Sequence, residues 1–311
     1  YDLWPNMVFS AARRHCPLLL MAASLSEKSG RIRFPLRWFH RQYYPLIDFV
    51  GAVSAEDARN FEHLGVAPER IQIVGDARFE QALAFSRSPH PTDPLRACLY
   101  ADAPVLVIGS TSAADEKHLF PAIKSLQRNV PDLRLIWAPH HVDSGTVGRV
   151  RTELDRSGWQ SVLLSDIRRD LETGGDPRPL NSSGRVVIAD CMGFLARVYD
   201  TASAVYVGGG FDTGVHNLME PACYAKPLFF GPKLGNSFEG REMIREGGGI
   251  VVRSSEDICR ELTSVLRDPR IAGKMGAENF GIVQRNADAA QRITRIVLSY
   301  LESPHSTSAS D

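Results

Sequence analysis

With 36 basic and 36 acidic side chains in 311 residues, the chain has zero formal net charge and lacks the basic excess that binding along a nucleic-acid backbone requires. Its 43% apolar and 23% charged content is that of a globular protein large enough for more than one domain. It contains no apolar run of the roughly 18 residues a membrane-spanning helix needs. Its five cysteines, Cys16, Cys98, Cys191, Cys223 and Cys259, are widely spaced without a C-x-x-C pair. They read as small buried residues of a reducing compartment, not as a disulfide or zinc framework.

The first 85 or so residues alternate between helix and strand. A helix is predicted from Pro5 to Arg14, with proline at its start. Strands follow at Leu18 to Ala23 and Ile47 to Val53, then a helix opened by Ser54 and a strand at Ile71 to Val74. Ser54 with Asp57 has the spacing of a capping box. Between the first two strands, Lys28, Arg31, Arg33, Arg37 and Arg41 are interleaved with Phe34, Trp38, Phe39 and Tyr43. This stretch suits a surface that meets anionic lipid headgroups; an ordinary amphipathic helix with a solvated basic face is the alternative. The segment Phe85 to Pro94, with Pro89, Pro91 and Pro94, is a linker, so a first domain is placed at 1–88.

From Pro104 a repeated strand-helix pattern sets in. Strands are predicted at Val105–Ile108, Leu133–Ala138, Ser161–Leu164, Val186–Ile188, Ala204–Val207, Pro227–Phe230 and Gly249–Val252. Such alternation specifies a parallel sheet covered on both faces, and a second α/β domain at 95–276. The Gly- and Pro-rich stretch from Glu172 to Ser183 reads as a surface loop. Terminal helices are expected at 277–302, followed by a polar tail.

The strand at Ala204–Val207 runs into Gly208, Gly209 and Gly210, and the chain passes His216 and Asn217 into a helix with Glu220 on its first turn. Glycines permit close backbone approach to a ligand, and free N–H groups at a helix start favour a phosphate. Glu220 is placed to accept the hydroxyls of a ribose. A plain turn with an exposed acid is the simpler alternative. The dinucleotide pattern G-x-G-x-x-G is absent, since its sixth position is Thr213. Ligands of doubly wound sheets bind beyond the carboxyl ends of strands. Ser110 and Thr111, His140 and His141, and Met192 and Gly193 lie at three further such ends. Helix capping is the alternative role for Ser110 and Thr111.

Gly208-Gly209 followed by His216-Asn217-Leu218-Met219-Glu220-Pro221 resembles the Gly-Gly…His-Asn-x-x-Glu-Pro signature of the 3-deoxy-D-manno-octulosonic acid (Kdo) transferases. Asp190-Cys191-Met192-Gly193, Gly109-Ser110-Thr111 and Asp2-Leu3-Trp4-Pro5-Asn6 resemble further motifs of that family, in its order. The resemblance implies an α/β fold of the GT-B kind, two Rossmann-like domains with the first incomplete in this chain. It further implies transfer of Kdo from CMP-Kdo, a substrate, to a lipid A precursor, with inversion, at the cytoplasmic face of the inner membrane. No cofactor is implied. The lack of an Asp-x-Asp pattern leads to the same expectation of metal independence. By the same resemblance, Ser110, Thr111, His140, His141, Met192, Gly193, Gly209, His216, Asn217 and Glu220 hold the donor. Arg33, Arg37, Arg41 and Trp38 face the acceptor and an anionic membrane surface. The chain has His140 where the family usually has arginine, Phe194 where many relatives have glutamate, and Ser24 where arginine is common.

Asp2 is the candidate catalytic acid or base, with an N-cap role for the first helix as its alternative. The family's principal base lies upstream of Tyr1, so this chain is expected to bind donor and turn over poorly. Two other readings stay open. One is a GT-B transferase or epimerase using a UDP-sugar; the other is a non-catalytic nucleotide- or lipid-binding module.

Overall fold

The computed structural model describes residues 3–88, 103–173 and 185–302. The chain forms two compact units, Tyr1–Gln81 with Arg285–Asp311, and Ala82–Gln284. The division between Gln81 and Ala82 falls inside a helix, α4 (Ala77–Arg87), which also takes in the start of the segment read as a linker. Among the described residues no helix is long and apolar enough to cross a membrane.

The first unit holds a parallel sheet in the order β1 (Leu19–Ala23), β2 (Phe49–Ala52), β3 (Ile71–Ile73). Helices α1 (Pro5–Arg13), α2 (Leu36–His40) and α3 (Ala55–His63) lie between and before these strands. Val8, Tyr43, Tyr44, Ile47, Val50, Phe61 and Leu64 form its core. Ser54 caps α3 by accepting from the Asp57 N–H, but Asp57 does not return the bond as a capping box would. Its buried carboxylate accepts instead from the Leu25 N–H at 2.6 Å and the Ser24 hydroxyl at 3.0 Å, bracing the loop after β1. The chain returns to this unit in α13 (Ala289–Glu302), where Arg292 donates to the Val74 carbonyl at 2.9 Å.

The alternative reading of Lys28–Arg41 as an ordinary amphipathic helix is corrected. The stretch contains a single 3-10 turn at Gly30–Ile32 and the five-residue α2. Pro35 has no N–H to donate and biases Phe34 away from helical geometry, so the pattern of charges and rings is broken before it can wind.

The second unit is a seven-stranded parallel sheet in the order β10-β9-β8-β4-β5-β7-β6. Its strands are β4 (Val105–Thr111), β5 (Arg134–Pro139), β6 (Gln160–Leu163), β7 (Arg185–Ile188), β8 (Ala204–Val207), β9 (Leu228–Phe230) and β10 (Gly249–Val251). All seven predicted strands are present, with shifted ends. Helices α5 (Ala113–Asn129), α6 (Ser144–Arg156), α7 (Leu164–Glu172), α8 (Leu195–Val198), α9 (Met219–Cys223), α10 (Phe238–Glu246), α11 (Ser255–Arg267) and α12 (Pro269–Asn286) connect and cover them. Strands buried on both faces read as continuous apolar runs, and Val105 to Ile108 and Leu228 to Phe230 are almost wholly inaccessible. Trp137, Tyr206 and Phe229 fill the space between sheet and helices.

Among the described residues the cysteines form no disulfide: Cys223 is buried, Cys191 and Cys259 are half-buried, and Cys16 is exposed, contrary to the expectation of uniform burial. Cys98, most of the linker, the loop after α7 and the polar tail lie outside the described residues.

Candidate functional site

β4, the first strand of its sheet, has β5 on one side and β8 on the other, so the chain's direction of progress across the sheet reverses at this strand. Ligand crevices form at such points. Between Gly109 and Thr111 the pairing of β4 with β5 slips by one residue. The extra residue is Ser110, held at φ 56°, a left-handed conformation uncommon for a residue with a side chain. The bulge changes which way the next residue faces. Thr111 turns into the interior, 2% exposed, where its hydroxyl accepts from Trp137 Nε1 at 3.1 Å and donates to Glu116 at 3.3 Å. Thr111 is thus a packing residue, and its side chain is not presented to a ligand. Neither Ser110 nor Thr111 caps α5; Ser112 does, in a full capping box with Asp115.

The glycine run after β8 is packed more tightly than a ligand cradle alone requires. A Cβ on Gly208 would lie 2.7 Å from the Ser110 carbonyl carbon, and one on Gly210 would lie 2.7 Å from Gly231 Cα. Gly209, at φ 88°, adopts a conformation that glycine tolerates. Several backbone N–H groups of this turn already have partners within the chain. Gly208 N–H donates to the Gly109 carbonyl at 2.8 Å. Gly209 N–H donates to Asp115 at 2.8 Å, and Phe211 N–H to the same carboxylate at 3.4 Å. Asp115 also accepts from Tyr206 OH at 3.0 Å and from the Ser112 N–H at 2.9 Å. Burial and the Asp115 charge hold the Tyr206 phenol far above its ordinary range. The start of α5 therefore already holds an anion. Asp115 is the residue that sequence reasoning missed, although Ser112-x-x-Asp115 repeats the spacing noticed at Ser54.

His140, beyond the end of β5, lies face to face with His216, ring centroids 4.3 Å apart and planes 12° apart. His141 meets His140 edge-on at 4.7 Å. Gly209 makes room for this pair, since a Cβ there would lie 2.9 Å from His216 Cδ2. Burial, then the neighbouring His140, lower the His216 pKa, while Asp115 and Asp212 oppose that shift. Asn217 turns back on the following helix. Its carbonyl accepts from the Met219 N–H at 3.0 Å, and its amide donates to Glu220 Oε1 at 2.9 Å. Burial raises the half-buried Glu220 carboxyl and the Asn217 bond offsets this in part. Burial and the Glu220 charge push the Cys223 thiol up to about 12.

Met192 and Gly193 form a turn beyond β7, Met192 exposed and Gly193 at φ 77°. Asp190 holds that turn to α7 by accepting from the Ser165 N–H at 3.0 Å and its hydroxyl at 2.5 Å. Phe194 points inward under the Arg168 guanidinium, 5.4 Å from its ring centre. Direct contacts thus join His140, His141, His216 and Gly209, and separately Asn217 and Glu220, while Met192 and Gly193 stand on an adjoining turn.

In the first unit Arg33, Arg37, Arg41 and Trp38 are all exposed, as is Phe34. Asp2 lies outside the described residues, and the N-cap position of α1 is Trp4.

Residues 1–81 match the family model for 3-deoxy-D-manno-octulosonic-acid transferase (kdotransferase). The chain is 26% identical over 271 residues to a 3-deoxy-D-manno-octulosonic acid transferase of Chlamydophila psittaci, covering 86% of this chain and 59% of that protein. It is 24% identical over 304 residues to the enzyme of that name from Haemophilus influenzae, covering 97% and 68%. The chain thus spans about three fifths to two thirds of the length of these relatives. Among solved structures, the C-terminal CMP-Kdo binding domain of WaaA from Acinetobacter baumannii matches with TM-score 0.51 and 20% identity, over 67% of this chain and 98% of that one. A UDP-N-acetylglucosamine 2-epimerase from Listeria monocytogenes matches with TM-score 0.65 and 15% identity, over 96% and 72%. These likenesses show the fold, which is α/β of the GT-B type. The family model at one end and relatives that run through the glycine turn and the histidine pair agree, and the chain is similar to 3-deoxy-D-manno-octulosonic acid transferases over most of its length.

Proposed function

We propose that the chain binds CMP-Kdo in its 82–284 unit and serves the inverting transfer of Kdo to a lipid A precursor at the cytoplasmic face of the inner membrane. The observation that carries this reading is the stacked His140–His216 pair next to the Asn217–Glu220 pair, at the reversal point of the sheet in a chain similar to Kdo transferases. In this reading Glu220 accepts the ribose hydroxyls, with Asn217 fixing its rotamer. The histidines meet the phosphate. An acceptor hydroxyl attacks the anomeric carbon, the bond from that carbon to the phosphate oxygen breaks, and CMP leaves with the electron pair as its phosphate gains a second negative charge. A cationic imidazole stabilises that charge more in the transition state than in the bound donor. The hydroxyl proton passes to a base, for which Asp2 is the candidate in this chain. Arg33, Arg37, Arg41 and Trp38 offer cations and a ring to the phosphates and interface of an anionic membrane.

Calorimetry with CMP, UDP and UDP-GlcNAc tests the donor, and Kdo transfer from CMP-Kdo to a tetra-acylated lipid A precursor tests the reaction. Preference for CMP, with Kdo transfer detectable but slow, is the expected result. Preference for UDP or UDP-GlcNAc would replace it with a UDP-sugar enzyme, and CMP binding without transfer would restrict the chain to donor binding.

A further inference from the structure

We infer that Asp115 is the positioning residue of the donor site: from inside α5 its carboxylate holds the Gly209–Phe211 turn, and through it His216 against His140, and supplies the counter-charge that lets this pair take up a proton when an anionic ligand binds. The inference rests on the donor reading above.

Asp115 is fully buried. Its oxygens take N–H groups from Gly209 at 2.8 Å and Phe211 at 3.4 Å, together with Tyr206 OH at 3.0 Å. One helical turn on, His118 stacks on Phe211 at 4.1 Å, so α5 grips the same turn twice. The grip passes to His216 by two routes. His216 N–H donates to the Gly208 carbonyl at 3.0 Å, and its ring packs against Gly209, with Cδ2 2.9 Å from where a Cβ on that glycine would be. Displacing the Gly209 N–H would therefore move the ring that stacks on His140.

The charges facing the pair come from each packed element. His141 adjoins His140 beyond β5. Asp115 reaches His216 from α5, and Asp212 reaches it from the turn itself. Two imidazoles in contact cannot both ionise without cost. In the free site burial and His140 favour neutral His216, and the two carboxylates oppose that shift. A phosphate placed against the pair adds negative charge and draws in a proton. Had Asp115 been only a helix cap, its removal would cost stability and leave the histidine titration unmoved.

The test is an NMR titration of His216 in the free wild-type protein, Asp115→Asn and Ser112→Ala, with calorimetry of CMP binding in two buffers of different ionisation enthalpy. Wild type is expected to bind CMP with net proton uptake. Asp115→Asn is expected to lower the His216 midpoint and to weaken CMP roughly tenfold or more, the scale of leaving a buried donor unpaired. Ser112→Ala, which loses a cap and no charge, should lower thermal stability and leave the His216 midpoint in place. An unchanged midpoint in Asp115→Asn, or unchanged CMP affinity, would overturn the inference. If wild type fails to bind CMP, the donor reading falls, while the free-protein titration still decides whether Asp115 governs His216. Should Asp115→Asn not fold, Tyr206→Phe removes one anchor of the carboxylate; unaltered CMP affinity and an unaltered His216 midpoint in that variant would equally overturn it.

Discussion

Gly208 abuts the backbone of Ser110 so closely that a Cβ on the glycine would lie 2.7 Å from the serine's carbonyl carbon and 2.7 Å from Thr111 Cα. The left-handed Ser110 and the glycine run are thus two halves of one junction between β4 and β8. Gly208→Ala forces backbone apart, because no side-chain rotation relieves the clash. Overpacking of this kind costs about 1–3 kcal/mol. Urea unfolding should show a loss of that size together with loss of CMP binding; a variant with wild-type stability would show the junction to be soft.

Thr111→Val separates packing from binding. The substitution leaves Trp137 Nε1 without its acceptor and Glu116 without one donor, while Glu116 keeps its ion pair with Arg149. An unsatisfied buried group costs about 1–3 kcal/mol. The variant should unfold earlier in denaturant and bind CMP as wild type does. A selective loss of nucleotide affinity at unchanged stability would return Thr111 to the site.

Glu220→Gln should trade binding against stability. Burial sets the folded pKa of Glu220 above its unfolded value. Such a group contributes stability that is fully present below the unfolded pKa, about 4.3, and lost as pH rises through the folded value. At neutral pH the folded protein therefore carries a buried charge that Gln lacks. The variant should melt above wild type at pH 7 to 8, with the difference closing as the solution is acidified through the carboxyl's titration. CMP affinity should fall by about 1.5–3 kcal/mol, the scale for hydrogen bonds to a charged group. A melting difference constant from pH 4 to 8 would contradict the assignment of a buried charge to this residue.

Replacing Arg33, Arg37 and Arg41 with Gln tests the first unit's exposed face. Each cation near an anionic surface is worth about 1 kcal/mol, so sedimentation with phosphatidylglycerol-containing vesicles at low salt should fall steeply in the triple variant. Trp38→Ala should weaken the same binding less and with little dependence on salt, because Trp38, 72% exposed, contributes a ring and no charge. Retention of full binding by the triple variant would leave only a solvated basic face.

What the sequence made legible follows from how local each signal is. The seven strands of the larger sheet stand out because strands buried on both faces must be apolar throughout, and Glu220 falls on the first turn of α9 as its spacing predicts. Ser110 defeats the reading of Thr111, since one extra residue in a strand reverses every side chain after it. At Lys28–Arg41 the rings and charges are visible in the sequence, but Pro35 interrupts the helix they would otherwise suggest. Asp115 is the instructive miss. Its local pattern with Ser112 announces a cap, and nothing near it in the chain announces that the same carboxylate serves Gly209, 94 residues on.

That separation also orders events in time. Leu106 pairs with Ala204 across the centre of the sheet, and Asp115 must wait for Gly209 before its carboxylate has a complete set of partners. Contacts between such distant segments are entropically late and slow to form. During synthesis α5 emerges well before β8, carrying a carboxylate that stays hydrated until the glycine turn arrives to enclose it. A folding intermediate with β4, β5 and α5 in place but β8 undocked would have helical signal and a partial core, yet no nucleotide site. Ligand-binding competence should accordingly be the slowest signal to recover on refolding, trailing the return of secondary structure.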